Sequence, residues 1–216
     1  MKNFSSIIFD LDGTLIDSIP DIANSMNKVL VQYGLPQHTC EQYKYFVGRG
    51  IKNLVEKSVP EGYNGDLESI FNSMMMEYAP NSTNQTTIYD GIPELLDYLS
   101  LNNVKMAILS NKADSITQKI CHATFSRWKF EVIMGATDDF PRKPNPESAL
   151  FIAETMNVKP SDLFYLGDTN IDMQTANAAG FFSVGATWGF RTKQELIDAN
   201  AMLIVEKPSE CMRFFV

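Results

Sequence analysis

Two aspartates separated by one residue follow the first apolar run of the chain. Residues 7–9, Ile-Ile-Phe, lead directly into Asp10, and Asp12 follows after one leucine, with a glycine and a threonine behind it. Carboxylates carried into a buried position are strongly disfavoured unless a cation or hydrogen bonds compensate their charge. Mg²⁺ is a suitable cation, because it prefers hard oxygen ligands and is often bound together with a phosphate group. The alternative is an ordinary turn, since aspartate and glycine are common turn residues.

Three later segments also carry side chains suited to phosphate chemistry. A second apolar run ends on Ser110 and Asn111. Lys143 lies just before a helical pattern, and a further apolar run leads into Asp168, with Asp172 four residues later. Ligands of a parallel sheet bind outside the carboxyl ends of its strands, so groups that are distant in sequence can meet there. The combination indicates Mg²⁺-assisted phosphoryl transfer at one site.

Taken in order, these segments resemble the four motifs of the haloacid dehalogenase-like superfamily, most of whose members are phosphatases. Residues 10–14 are similar to the first motif, 110–112 to the second, 143–146 to the third and 163–172 to the fourth. Within the superfamily the chain is most similar to the phosphoglycolate phosphatase group, through the Ala-Thr-Trp-Gly-Phe segment at 186–190 and an insert after the first motif.

The resemblance implies a mechanism with an aspartyl-phosphate intermediate. Asp10 would be the nucleophile, and Asp12 would protonate the leaving alkoxide and then deprotonate the attacking water. Mg²⁺ would be bound by the carboxylates of Asp10 and Asp168 and by the backbone carbonyl of Asp12. The Asp12 side chain must then point away from the metal.

The remaining motif residues would support that chemistry. Ser110 and the backbone amide of Asn111 would donate hydrogen bonds to phosphoryl oxygens. Lys143 would neutralise charge on the nucleophile and the phosphate, although a lone lysine is usually a solvated surface residue. Asp172 is interpreted as a group that orients metal-bound water or Lys143 rather than as a direct metal ligand.

Alternating strand-like and helical patterns predict an α/β fold with a Rossmann-like parallel-sheet core. Aliphatic and β-branched residues dominate each predicted strand, whereas each predicted helix carries apolar residues at helical spacing. The predicted strands are residues 5–10, 105–110, 131–135, 163–167, 182–186 and 202–205. The predicted helices of the core are residues 93–101, 113–124, 147–156 and 172–179.

The pattern changes between residues 16 and 87, where strand signals vanish and helical periodicity dominates. We therefore predict a catalytic core formed by residues 1–15 and 88–216, and a helical domain of residues 16–87 inserted after the first strand. In the resembling family such an insert is a cap that closes over the active site. Gly48 and Arg49 lie in a glycine-flanked loop of this insert and are predicted to bind substrate, with an exposed loop arginine as the equal alternative.

Composition limits the partners of the chain. Its 216 residues carry a formal net charge of −8, which argues against nucleic acid or an anionic membrane as a main partner. No apolar run approaches the ~20 residues that span a bilayer. The N-terminus leads straight into a strand, and the three cysteines show neither metal-ligand nor disulfide spacing. We expect a cytoplasmic protein, monomeric or homodimeric, that binds a small phosphorylated metabolite.

Several functions remain open at this point. A phosphomutase or a pyrophosphatase would use the same core residues as a phosphatase, and phosphoglycolate, a sugar phosphate or a nucleotide would each fit as substrate. A dehalogenase is disfavoured, because its family members generally lack an aspartate at the place of Asp12. A non-catalytic binding module would be expected to have lost one of the motif residues, and Asp10, Asp12, Lys143 and Asp168 are all present.

Overall fold

The computed structural model describes residues 3–215, so Met1, Lys2 and Val216 at the ends of the predicted core lie outside the described residues. The strands are β1 (Ser6–Phe9), β2 (Ile16–Asp17), β3 (Thr87–Ile88), β4 (Lys105–Ala113), β5 (Val132–Ala136), β6 (Leu163–Gly167), β7 (Phe182–Ala186) and β8 (Leu203–Val205). The α-helices are α1 (Ile19–Gln32), α2 (Cys40–Phe46), α3 (Ile51–Ser58), α4 (Leu67–Asn81), α5 (Ile92–Leu101), α6 (Asp114–Phe125), α7 (Glu147–Thr155), α8 (Asn170–Ala179) and α9 (Lys193–Asp198). Short 3₁₀ helices cover Pro160–Asp162 and Pro208–Phe214.

The larger sheet has six strands in the order β5-β4-β1-β6-β7-β8, and all of its pairings are parallel. Its central strands are apolar and buried on both faces, because helices cover both sides of a parallel sheet. This architecture confirms the predicted α/β class with a parallel-sheet core. The prediction missed α9, a helix of six residues that is too short to leave a clear periodic pattern.

A second, two-stranded sheet pairs β2 with β3 in antiparallel register. The sequence pattern predicted no strands between residues 16 and 87, but these two strands lie at the limits of that range. Strands of two residues are too short for alternation to reveal them. The pairing brings the two ends of the intervening chain together, at Ile16 opposite Ile88.

Helices α1 to α4 lie between these two short strands, and we call residues 19–81 the helical segment. Helix α1 buries Ile22, Met26, Val29 and Leu30, which recur at helical spacing. The segment's return to the sheet is fixed to α1, since the buried carboxylate of Asp21 accepts hydrogen bonds from backbone N–H groups of the linker at 85–86. None of the helices within residues 3–215 has the length and apolarity needed to cross a bilayer.

Candidate active site

The site lies where three neighbouring strands deliver polar side chains to one edge of the sheet. Strand β1 is flanked by β4 and β6, so Asp10, Ser110 and Asp168 come to the same edge. Strand β4 does not end at Ser110 as predicted but continues to Ala113. Its pairing with β5 is interrupted between Leu109 and Ala113, and this irregularity frees residues 110–112 from regular pairing.

Three buried carboxylates form an acidic cluster at this edge. Oxygens of Asp10, Asp168 and Asp172 lie within 4.8 Å of one another. The Nζ of Lys143 is 2.8 Å from Oδ1 of Asp10 and 2.7 Å from Oδ1 of Asp172. The three carboxylates are therefore accompanied by this ammonium, which contacts two of them. A hard divalent cation with oxygen ligands, such as Mg²⁺, fits this donor set and its excess of negative charge.

The electrostatics of the cluster lead to the same conclusion. Burial, followed by the charge of Asp172, raises the pKa of Asp10 well above its usual range, against the opposing effect of Lys143. Burial and Asp172 together raise the pKa of Asp168 to about 7. Burial alone would lower the pKa of Lys143, but the charges of Asp10 and Asp172 raise it above its usual range. The carboxylates thus carry an unfavourable charge density that a bound cation would relieve.

Asp168 is held in place by groups that follow the two strands flanking β6. Thr14 Oγ1 donates to its Oδ1 at 3.0 Å, and the backbone N–H of Phe190 donates to its Oδ2 at 2.7 Å. A Cβ at Gly13 would lie 2.2 Å from Asp168 Oδ2, and one at Gly189 would lie 2.3 Å from Asp168 Cβ. Both positions therefore require glycine so that the backbone can approach this carboxylate.

Asp172 and Asn111 fix the position of Lys143. The Oδ2 of Asp172 accepts hydrogen bonds from Thr169, while its Oδ1 is bound to the Lys143 ammonium. The side-chain amide of Asn111 donates to the carbonyl of Lys143 at 2.9 Å and accepts from its N–H at 2.9 Å. The same amide donates to the carbonyl of Gly48, which joins the helical segment to the sheet edge.

Asp12 points away from the acidic cluster. Its Oδ1 accepts a hydrogen bond from Ser18 Oγ and forms an ion pair with Lys112, whose Nζ lies 2.9 Å away. Lys112 also donates to Tyr78 Oη on α4 at 2.8 Å. The sequence pattern predicted no role for Lys112, although it directly follows Ser110 and Asn111 at the irregular strand. Its position next to these two residues was the one sequence signal that could have indicated a role for Lys112.

A cavity of about 40 Å³ lies between the sheet edge and the helical segment. Within residues 3–215, the charged residues that line the cavity all come from the sheet edge and are Asp10, Asp12, Lys112, Lys143 and Asp172. Ser110, Asn111 and Thr169 add polar groups there. The helical segment lines the opposite side with apolar side chains, which are Ile22, Val47, Ile51, Leu54 and Met74, together with Gly48, Gly50 and Tyr78.

The cavity lining includes only one of three further predicted site residues, which are Asp168, Gly48 and Arg49. Asp168 lies behind the lining, within the acidic cluster, and Gly48 lines the cavity. Arg49 is exposed, and its side chain is not among those that line the cavity in the described part of the chain. Burial, followed by the positive charges of nearby Arg191 and Arg49, lowers the pKa of Lys57.

Known proteins resemble this chain over most of its length. The family model described as haloacid dehalogenase-like hydrolase matches residues 7–186. A phosphoglycolate phosphatase of Aquifex aeolicus is 31% identical over 184 residues, covering 85% of each chain. A phosphoglycolate phosphatase of Pseudomonas putida is 29% identical over 209 residues, covering 93% of this chain and 75% of the relative. A crystal structure of a predicted phosphoglycolate phosphatase from Haemophilus somnus superposes with a TM-score of 0.91 at 25% identity, covering 99% of this chain and 98% of the other.

Proposed function

This chain belongs to the haloacid dehalogenase-like hydrolase family, and we propose that it is a Mg²⁺-dependent phosphatase that hydrolyses a small-metabolite phosphomonoester. The observation that carries the proposal is the acidic cluster of Asp10, Asp168 and Asp172 around the Lys143 ammonium, at the floor of a cavity. Family membership supports the phosphatase chemistry. The excess of buried carboxylates over ammonium groups supports a divalent cation.

The metal would be held by the carboxylates of Asp10 and Asp168 and the backbone carbonyl of Asp12. When bound, Mg²⁺ would supply positive charge to the phosphoryl oxygens and to the attacking carboxylate. Asp172 would keep Lys143 directed at Asp10, because its Oδ1 lies 2.7 Å from the lysine Nζ. Asp172 thus acts through Lys143 rather than on the substrate.

The chain's own residues would carry the reaction in two steps. Asp10 attacks phosphorus, the bond to the alcohol oxygen breaks, and Asp12 gives that oxygen a proton. Asp12 then takes a proton from water, which attacks the aspartyl-phosphate and releases inorganic phosphate. Lys143 neutralises charge on Asp10 and the phosphoryl group, while Ser110 and the amide of Asn111 donate hydrogen bonds to the phosphoryl oxygens.

Residues 16–87 would serve as a cap domain over a core of residues 1–15 and 88–216. The apolar residues that face the cavity from the helical segment would exclude water from the reacting groups. The hydrogen bond from the Asn111 side chain to the Gly48 carbonyl would help to hold the cap in a fixed position on the core.

We propose a phosphoglycolate-like compound or a small sugar phosphate as substrate. The curated relatives are named phosphoglycolate phosphatases, and the small cavity favours a compact molecule. Neither nucleic acid nor a membrane is proposed as a partner, and the protein would act in the cytoplasm as a monomer or homodimer. The test is a phosphate-release screen over a metabolite panel with and without Mg²⁺. Hydrolysis of no phosphomonoester, or equal hydrolysis after metal removal, would contradict the proposal.

Metal binding should be visible without any substrate. Adding Mg²⁺ at about 100 times its dissociation constant should raise the free energy of unfolding by about 2.7 kcal/mol, because only the folded chain gathers the carboxylates. Thermal unfolding with and without Mg²⁺ measures this effect. The shift should shrink in Asp168→Asn and persist in Asp198→Asn, which alters an exposed carboxylate on α9. An equal Mg²⁺-induced stabilisation of both variants would mean that the metal binds elsewhere.

Arg49→Ala should have little effect on catalysis. Because Arg49 is exposed and outside the cavity lining, its loss should raise KM for a doubly anionic substrate by the equivalent of about 1 kcal/mol or less. Hydrolysis of p-nitrophenyl phosphate, which has no distal anion, should stay unchanged. A KM increase worth roughly 1.5–3 kcal/mol, the range for a hydrogen bond to a charged group, would instead mean that Arg49 binds the substrate.

A further inference from the structure

A buried lysine next to Asp12 has no part in the reaction steps above. The Lys112 side chain is 4% exposed and lines the cavity. Its Nζ lies 2.9 Å from Oδ1 of Asp12 and 2.8 Å from the hydroxyl of Tyr78. A buried ammonium is costly unless its partners are well placed, so this arrangement fixes the positions of all three groups relative to one another.

Tyr78 reaches this lysine from the opposite side of the cavity. It lies on α4 within the helical segment and is almost fully buried. The lysine Nζ is 4.9 Å from the centroid of the Tyr78 ring, which adds a cation–π contact to the hydrogen bond. The Asp12 carboxylate is therefore connected to α4 through a single lysine side chain.

Both donors to Asp12 meet the same oxygen. Ser18, at the start of α1, and Lys112 each contact Oδ1. The two contacts are therefore made to Oδ1, and Oδ2 would be the atom that exchanges a proton with the leaving group or with water. The rotation of the carboxylate is thus set by one group from the sheet edge and one from the residue just before the helical segment.

We propose that Lys112 is a positioning residue that orients Asp12 for proton transfer, and that Tyr78 makes this orientation depend on the placement of α4. The inference rests on the proposed function, in which Asp12 is the acid and base. It adds a physical route by which the helical segment acts on the chemistry as well as covering it. Displacement of α4 would remove a partner of Lys112 and so loosen Asp12.

Lys119 provides a matched control, because it also contacts α4 from the core. This exposed lysine lies on α6 and donates to the carbonyls of Ala79 at 2.6 Å and Pro80 at 2.8 Å. It does not line the cavity, whose described lining includes Lys112. Loss of a lysine contact to α4 can therefore be separated from loss of the contact to Asp12.

The test compares kcat/KM for two phosphomonoesters that differ in their need for an acid. Glycerol phosphate has an alkoxide leaving group that must be protonated, whereas p-nitrophenolate leaves with little help. Lys112→Met should lower kcat/KM for glycerol phosphate by about 10–100-fold, less than the about 10²–10⁴-fold that a general acid itself contributes, and for p-nitrophenyl phosphate by less than about threefold. Lys119→Met should leave both values unchanged.

Tyr78→Phe keeps the test decisive if Lys112→Met folds poorly, and a double variant separates a positioning role from a structural one. Tyr78→Phe retains the buried ring and removes only the hydroxyl, so it should give the same leaving-group pattern with a smaller loss. Combining Lys112→Met with Asp12→Asn should cost no more than Asp12→Asn alone, because a positioning residue has no effect once its target is gone. A purely structural lysine would instead add its loss to that of Asp12→Asn.

Three results would overturn the inference. These are equal losses on both leaving groups, additive losses in the double variant, and a loss confined to substrates with a second anion, which would make Lys112 a substrate-binding residue. Failure of the proposed function is recognised separately, because the unaltered protein would then release no phosphate or Asp10→Asn would remain active.

Discussion

Asp10→Asn should reduce steady-state phosphate release below detection, a loss of at least ~10⁴-fold, with the fold intact. The amide is nearly isosteric with the carboxylate but cannot attack phosphorus. Lys143 would still be paired with Asp172 at 2.7 Å, so the substitution leaves no buried ammonium without a partner. Initial rates on p-nitrophenyl phosphate, measured beside a thermal unfolding curve, give both quantities.

Asp198→Asn is the matched control for this experiment, because it makes the same chemical change at an exposed position on α9. It should keep the activity of the unaltered protein. Substantial turnover by Asp10→Asn, once contaminating phosphatase is excluded, would remove Asp10 as nucleophile. A large drop in the unfolding temperature would mean that lost structure explains the lost activity.

Asp12→Asn should lower kcat/KM for an alkyl phosphate by about 10²–10⁴-fold, the usual contribution of a general acid. The quantity kcat/KM reports the steps up to release of the leaving group, so it isolates the role of Asp12 as acid. The loss should be much smaller for p-nitrophenyl phosphate. Mg²⁺ affinity should change little, because the proposed ligand is the backbone carbonyl and the carboxylate points toward Ser18 and Lys112.

The leaving-group comparison contains the outcome that would contradict this role. Equal losses of kcat/KM on both substrates would mean that Asp12 does not protonate the leaving group. A loss of Mg²⁺ affinity, read from the thermal shift, would mean that the Asp12 carboxylate binds or orients the metal. Neither result would bear on Asp10, so its role as nucleophile and the role of Asp12 as acid are tested independently.

The sheet and the residues at its edge could be predicted because each strand leaves a local sequence pattern and all parallel sheets share the same strand arrangement. Each central strand is a continuous apolar run, and parallel strands bring their carboxyl ends to one edge. Apolar runs that end near Asp10, Ser110 and Asp168 therefore predict, from the sequence pattern alone, that these three side chains lie at the same edge of the sheet. The family assignment rested on the same motifs, and the match over residues 7–186 confirms it.

The contact between Lys112 and Tyr78 could not be predicted in this way. The two residues are 34 positions apart, and they meet only because α4 packs over the sheet edge. Tyr78 has no sequence signal of its own, since an aromatic residue on an amphipathic helix is usually part of a core. The short strands β2 and β3 escaped prediction for a related reason, because only their pairing with each other defines them.

Arg49 is a residue whose role the sequence pattern left open. A glycine-flanked arginine in an inserted helical region left a substrate contact and an exposed loop position as equal alternatives, because the direction of a loop side chain depends on packing that the sequence does not encode locally. Gly48 lines the cavity, whereas the adjacent Arg49 is exposed. The asparagine at 111, predicted to act through its backbone amide, also has a side chain that joins Gly48 to Lys143.

The central claim is that Asp10 carries the phosphoryl group, and trapping that intermediate tests it most directly. In Asp12→Asn the base for the second step is missing, so the aspartyl-phosphate should accumulate when p-nitrophenyl phosphate supplies a good leaving group. Rapid acid quench followed by peptide mass spectrometry should find one phosphoryl group on Asp10, matched by an equal burst of p-nitrophenol. A burst with the phosphoryl group on another residue, or a burst with none on the protein, would contradict the account.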